Sequence, residues 1–256
     1  MKAPKLMSQT VARALEIIRF VSLMNRSLSE VAEHLQVHKS TALRLLQTLE
    51  EGGFVRRSAD GRFTMGFELI GLGQIALEQV EARTIAHRSL VSLAEREGHT
   101  VHFAQLLGDR IVYVDKIDGR GTVAMGSKIG LAANVHTAGI AKAITAFQED
   151  DTRAKLMATA DFKRYTDTTI VSPEAFIREL DTIRERGWAE DDGEYEDYIN
   201  CVAVPVRDAR GLVAYGLSVT ALRAVAPLER LRADIPQIQQ TASTISLDLG
   251  WKGAKA

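Results

Sequence analysis

The chain has 256 residues, 46% of them apolar, with 32 Lys and Arg against 33 Asp and Glu and a single cysteine. Enough Leu, Ile and Val to bury a core excludes a disordered chain, and the length suits two domains of roughly 100–200 residues. Lone Cys201 excludes a disulfide framework and any multi-cysteine zinc or iron–sulfur site. No run approaches the roughly 18 apolar residues that span a bilayer. Arg13, Glu16 and Arg19 interrupt the first apolar stretch, which removes a signal peptide and leaves a cytoplasmic location as the expectation. Charge is uneven: residues 1–72 hold 10 Lys and Arg with 7 Asp and Glu, whereas residues 73–256 hold 22 and 26. A basic end on an acidic body is a mild pointer to an anionic partner.

In the first seventy residues, Val11, Ala14, Leu15, Ile17, Ile18 and Val21 recur at three- and four-residue steps, the mark of an amphipathic helix. Ser27-Leu28-Ser29-Glu30 has the form of a capping box and starts a second, short helix through Val31, Ala32 and Leu35. After the tight connection Gln36-Val37-His38, a third helix is predicted over residues 39–51, ended by Gly52-Gly53. Two short helices around a tight turn form a helix-turn-helix pattern, whose second helix can lie in the DNA major groove. At roughly 100° per residue, Ala42, Leu45, Leu46 and Leu49 share one side of that helix. Ser40, Arg44 and Gln47 fall opposite, flanked by Lys39 and Thr41. Arg reads guanine bidentately, Gln reads adenine, and Ser or Thr serves either. The segments around Arg56-Arg57 and Arg62-Phe63 flank Ser58-Ala59-Asp60-Gly61, a hairpin turn, and so form a basic wing whose Arg56, Arg57 and Arg62 would hold phosphates or enter the minor groove. The alternative for the same pattern is a helical protein-interaction module with a solvated polar face.

Residues 66–81 read as a helix with Phe67, Leu69, Ile70, Leu72, Ile75 and Ala76 apolar. Gly71-Leu72-Gly73-Gln74-Ile75-Ala76 matches G-x-G-x-x-A, but a wing strand precedes it and no parallel βαβ unit follows, so no dinucleotide is expected. A second helical pattern, Ala86, Leu90, Leu93 and Ala94, ends at Gly98. So much apolar surface in a connector suits packing against another copy of the chain.

From Thr100 the pattern turns to strands, at 101–106 and 111–115, with a third at 122–125. Helices are predicted at 138–147, 152–158 and 173–185, then strands at 201–206 and 212–220. A closing helix over 228–249 should kink or split at Pro236. Hairpins separated by helices give an α+β fold with an antiparallel sheet, able to hold a small-ligand pocket. A Cys–His nucleophile would pair Cys201 with His87, His99, His102 or His136, but no spacing fixes a base beside the cysteine and there is no G-x-S-x-G elbow. His34 and His38 straddle the predicted turn without a third ligand, and His99 and His102 differ by an odd offset. No metal and no cofactor are therefore expected. Asp191, Asp192, Glu194, Glu196 and Asp197 read as a solvated acidic face. An enzyme acting on a small acid through Cys201 stays as an alternative, as does a ligand sensor that binds no DNA.

Five segments, VARALEII at 11–18, KSTALRLLQTL at 39–49, HTAGIAKA at 136–143, RGWAEDD at 186–192 and NCVAVPV at 200–206, occur in an order and spacing that resembles the isocitrate lyase regulator (IclR) family. The resemblance implies a winged helix-turn-helix over residues 1–66, a linker and dimerisation helix over 67–84, and a GAF/PAS-like effector-binding domain over 85–256. It implies a transcriptional regulator, a repressor first, that acts as a homodimer or a dimer of dimers on a pseudo-palindromic operator in double-stranded DNA. The implied effector is a small organic acid, often aromatic, in a pocket formed by Met125, Gly139, Ile140, Asp191, Asp192, Cys201, Ser218 and Thr220.

Overall fold

The computed structural model describes residues 8–120 and 125–253 and divides into two compact units between Gln79 and Val80. In the first, α1 (Gln9–Leu23), α2 (Leu28–His34) and α3 (Lys39–Glu51) precede the hairpin β1 (Val55–Arg57) and β2 (Phe63–Met65), followed by α4 (Glu68–Glu78). The three helices α1–α3 and the hairpin each give apolar residues to a shared core: Ile17 and Val21, Val31 and Ala32, Ala42, Leu46 and Leu49, then Val55 and Phe63. The capping box forms as expected. Ser27 Oγ accepts from the Glu30 amide at 3.3 Å, and Glu30 Oε2 accepts from the Ser27 amide at 2.8 Å. Between α2 and α3 the chain reverses at Gln36, whose φ of 54° is left-handed; the turn closes with the Val37 amide on the Ala32 carbonyl at 3.0 Å. The hairpin is not free-standing, because Arg26 and Phe63 exchange backbone hydrogen bonds of 2.9 and 2.7 Å just before α2 begins.

The second unit contains α5 (Glu81–Glu97), β3 (Thr100–Leu107), β4 (Arg110–Ile117), α6 (Gly139–Thr145), α7 (Asp150–Met157), α8 (Pro173–Arg186), β5 (Ala189–Asp192), β6 (Ile199–Arg207), β7 (Val213–Leu222), α9 (Leu228–Ala233) and α10 (Ile235–Asp248). Its five strands run β4-β3-β7-β6-β5, every neighbouring pair antiparallel. Successive strand residues point to opposite faces. Val202, Val204, Val206, Leu217, Val219 and Phe103 therefore pack on α5, α9 and α10, while Ala104, Ile111 and Ala203 face α6 and α8. Both faces being covered explains why β6 and β7 read as nearly continuous apolar runs. Gly216 lets α6 sit close, since a Cβ there would come within 2.9 Å of Ile140 Cγ1.

Several boundaries differ from the sequence reading. The helix expected over 66–81 ends at Glu78, and Val80 breaks the chain with a non-helical ψ of 87° before α5. Most of the strand expected at 122–125 lies outside the described residues; Met125 itself is in no strand. Strand β5 was not anticipated: it is four residues long and three of them are acidic, so it carries no apolar alternation. The closing helix does split near Pro236, one of the two outcomes expected there: α9 ends at Ala233 and α10 starts at Ile235, with Pro236 in its first turn and Asp234 between the two. Among the described residues no helix is long and apolar enough to cross a membrane.

Because Ser27 both caps α2 and carries the oxygen that holds Glu30, Ser27→Ala should lower unfolding stability by about 1 kcal/mol, read from urea melts followed by helical circular dichroism. An unchanged midpoint would contradict the capping assignment.

Candidate functional site

Two places gather the residues singled out by sequence, one in each unit. On α3, burial of Ala42, Leu46 and Leu49 leaves Lys39, Ser40, Arg44 and Gln47 exposed and Thr41 half-buried. The row is therefore an outward-facing polar and basic face, laid along the helix that follows the turn. Among the described residues, Lys39 and Arg44 have no carboxylate within ion-pair distance, unlike two of the wing arginines. Arg57 Nε donates to Glu50 Oε2 at 3.3 Å. Arg62 donates twice to Glu30 Oε2, at 3.1 and 3.0 Å. Arg56 is exposed and lies over the Phe67 ring at 5.1 Å. His34, considered with His38 as a metal ligand, instead stacks on Phe20 with ring centroids 4.0 Å apart.

In the second unit a cavity of about 640 Å³ opens on the α6 face of the sheet. Strand register builds its wall: Asp191 lies opposite Cys201, Cys201 opposite Thr220, and Ser218 opposite His102, all on the face away from α5. Gly139 starts α6 against this row, and its lack of a side chain matters because a Cβ would meet Cys201 Sγ at 3.3 Å. Met125, Gly139, Ile140, Asp191, Cys201, Ser218 and Thr220 all line the cavity. Asp192 does not; its carboxylate turns outward to Arg223 Nη2 at 2.8 Å. His102, Arg110, Tyr113 and Thr137 line it too and were not assigned to the pocket by sequence. Thr137 is fully buried, and its Oγ1 has no hydrogen-bond partner among the described residues, so a polar atom is left for an occupant. The available signal for His102 is a polar residue between Val101 and Phe103 in a mostly apolar strand; for Thr137 there is none.

Burial sets the charges. His102 is pushed down to about 3 by burial and by Lys116, so its ring is neutral while it shares hydrogen bonds with Ser127 Oγ at 2.8 Å and Thr220 Oγ1 at 3.4 Å. Burial also raises the Tyr113 phenol. The Cys201 thiol is pushed up to about 12, first by burial and then by Asp191, which leaves no thiolate to act as a nucleophile near neutral pH. The acidic segment is only in part the solvated face expected: Asp197 is exposed and Asp192 and Glu196 are half-buried. Asp191 and Glu194 are buried around Lys142, whose Nζ donates to Glu194 Oε1, while the Glu194 amide donates to Asp191 Oδ1 at 2.7 Å. One ammonium cannot offset burial of two carboxylates, and Asp191 rises to about 6 and Glu194 to about 7. No local pattern announces this cluster, because Lys142 lies 52 positions before Glu194, on α6.

Native protein at pH 8 should therefore react with a disulfide reagent at Cys201 about 1000-fold more slowly than the urea-unfolded chain, three units of thiol ionisation at tenfold each. Labelling at equal rates would contradict the buried thiol. Raised carboxyls bind protons in the folded state that the unfolded state has already released, so their stability contribution is present below about pH 4 and is lost as pH rises through about 6 to 7. On going from pH 7.5 to 5.5 the thermal midpoint of the unaltered chain should gain on that of Asp191→Asn; a pH-independent difference would count against it.

Comparison with known proteins extends over both units. Residues 10–59 match the IclR helix-turn-helix domain, and residues 74–247 match the bacterial transcriptional regulator IclR C-terminal domain. The HTH-type transcriptional regulator KdgR of Escherichia coli is 32% identical over 225 residues, 88% of this chain and 86% of that protein. The transcriptional repressor IclR of Escherichia coli is 29% identical over 205 residues, covering 78% and 75%. Among solved structures, Thermotoga maritima IclR superposes with a TM-score of 0.77 at 33% identity, covering 94% of this chain and 99% of the other. With a helix-turn-helix and a covered antiparallel sheet in the family's order, the chain belongs to the IclR family of DNA-binding transcriptional regulators.

Proposed function

We propose that this regulator is a cytoplasmic repressor, not an enzyme, whose operator affinity is set by a small organic acid bound in the cavity of the second unit. Residues 1–66 bind DNA, 67–84 carry dimerisation, and 85–256 bind the effector. Lys39, Ser40, Thr41, Arg44 and Gln47 read the major groove of a half-site, with the wing of Arg56, Arg57 and Arg62 beside them. The observation that carries the reading is the outward row on α3, fixed by burial of the opposite stripe. Exposed Phe67, Ile70, Leu72 and Ile75 on and beside α4 support pairing of two chains. A two-fold dimer, or a dimer of dimers, then calls for a pseudo-palindromic operator. Repression is supported by the likeness to a protein named as a repressor.

The effector reading rests on the cavity: exposed Arg110 offers a cation, Ser218 and Thr220 offer hydroxyls, and Thr137 Oγ1 is unpartnered. Met125, Gly139, Ile140, Asp191 and Cys201 complete the contact set, and Asp192 acts from outside by holding Arg223. Cys201 as a catalytic nucleophile is disfavoured by its buried, protonated thiol. Effector occupancy would alter dimer geometry and shift operator affinity by roughly 1–3 kcal/mol.

The test is fluorescence anisotropy on duplexes from the region upstream of the chain's own reading frame. Arg44→Ala should weaken binding by about 1–3 kcal/mol, roughly 5- to 150-fold, with unfolding unchanged, because its side chain is exposed. Small carboxylic acids that raise the thermal midpoint should change the same anisotropy. Equal binding by Arg44→Ala would contradict the reading of α3.

A further inference from the structure

The sequence offers a wing with three arginines; in the structure Arg56 and Arg57 are exposed and Arg62 is half-buried, and the three differ in their partners. Arg56 and Arg57 are neighbours on β1 and project to opposite faces of the hairpin. Arg57 shares its face with Val55, which is buried, and its strand partner is the buried Phe63. Its guanidinium accordingly lies over the Phe63 ring at 4.9 Å and donates to Glu50 of α3 at 3.3 Å. Arg56 occupies the other face, opposite Thr64, where it is exposed. Among the described residues no carboxylate is within ion-pair distance of it.

Arg62 is committed elsewhere. Both of its terminal nitrogens donate to Glu30 Oε2, the same oxygen that accepts from the amide and the hydroxyl of Ser27, at 2.8 and 2.6 Å. Glu30 thus joins the start of α2 to the turn end of the wing, where Arg62 precedes β2 and the backbone bridge between Arg26 and Phe63. Asp60 stands at the wing tip, held by Ser58 Oγ at 2.6 Å. A tip bearing a fixed, exposed carboxylate is a poor element to press against phosphates.

We infer that Arg56 is the wing arginine that neutralises a DNA phosphate, while Arg57 and Arg62 are positioning residues that fasten the wing to α3 and α2. This rests on the DNA-binding reading above and narrows it. The wing then contributes one unit of counterion release rather than three, and sequence reading falls to α3.

The experiment measures the slope of log affinity against log salt on a fluorescein-labelled duplex from the chain's own upstream region. Each phosphate contact contributes about 0.9 to the magnitude of that slope. Arg56→Ala should reduce the slope by about 0.9. Arg57→Ala should leave it unchanged. Arg62→Ala should weaken binding by about threefold in parallel at all salt concentrations, with no change in slope, and Arg62→Lys should restore it. Glu30→Gln cuts the same ion pair from the other side and keeps a capping-box acceptor, which guards against a variant that merely fails to fold. It should behave as Arg62→Ala does. A slope lowered by Arg57→Ala or Arg62→Ala as much as by Arg56→Ala would overturn the assignment, as would tighter binding by Glu30→Gln. If the unaltered protein binds no duplex at low salt, the DNA-binding reading falls and the wing assignment falls with it; salt-dependent binding by the unaltered protein whose slope is lowered by Arg57→Ala or Arg62→Ala removes the assignment alone.

Discussion

Rotation of α3 about its own axis is the constraint on which the proposed reading of DNA depends. Ala42, Leu46 and Leu49 have one place to go, the small core shared with α1, α2 and the hairpin. Once they are buried, Ser40, Arg44 and Gln47 must point outward, since residues three and four apart share a helix face. Nothing else in the first unit is large: the core closes on Phe63 and Val55, and the wing is tied down by backbone bonds to Arg26 and by ion pairs from Arg57 and Arg62. A short domain with few core residues gains from such ties, because loss of any one element would let α3 turn.

In the second unit the same logic operates with a period of two. β6 and β7 alternate between a wall of Val, Leu and Ala packed on α5 and α10 and a row of Cys201, Ser218 and Thr220. The small polar row could not sustain close packing with α6 along its whole length, and the cavity lies where it does not. Burial then decides the chemistry: His102 is neutral, Cys201 stays a thiol, and the Asp191–Lys142–Glu194 cluster is short of positive charge. These groups suit recognition by hydrogen bonds. They do not suit nucleophilic attack.

Much of this was legible from residue order. The capping box at Ser27 and Glu30, the Asp60-Gly61 hairpin and the stripe of α3 follow from local chemistry, and each formed as local chemistry dictates. The row Cys201, Ser218 and Thr220 was reached through family resemblance, with strand alternation agreeing for the last two. What escaped was long-range. Lys142 and Glu194 are partners across 52 positions, so the acidic segment looked solvated when Asp191 and Glu194 are in fact buried. Strand β5 escaped because its residues form a strand only through pairing with β6. Arg57 and Arg62 looked like Arg56 in the sequence; only their partners, Glu50 and Glu30, distinguish them.

The central claim is that α3 lies in a major groove with Arg44 facing base edges. Dimethyl sulfate methylates guanine N7 in that groove, the atom a recognition arginine would cover. Guanines of the upstream duplex should be protected in two clusters related by a dyad and separated by about one helical turn or a multiple of it, and the protection should vanish with Arg44→Ala. Bound duplex whose guanines methylate as readily as free DNA would mean that the helix does not sit in the groove.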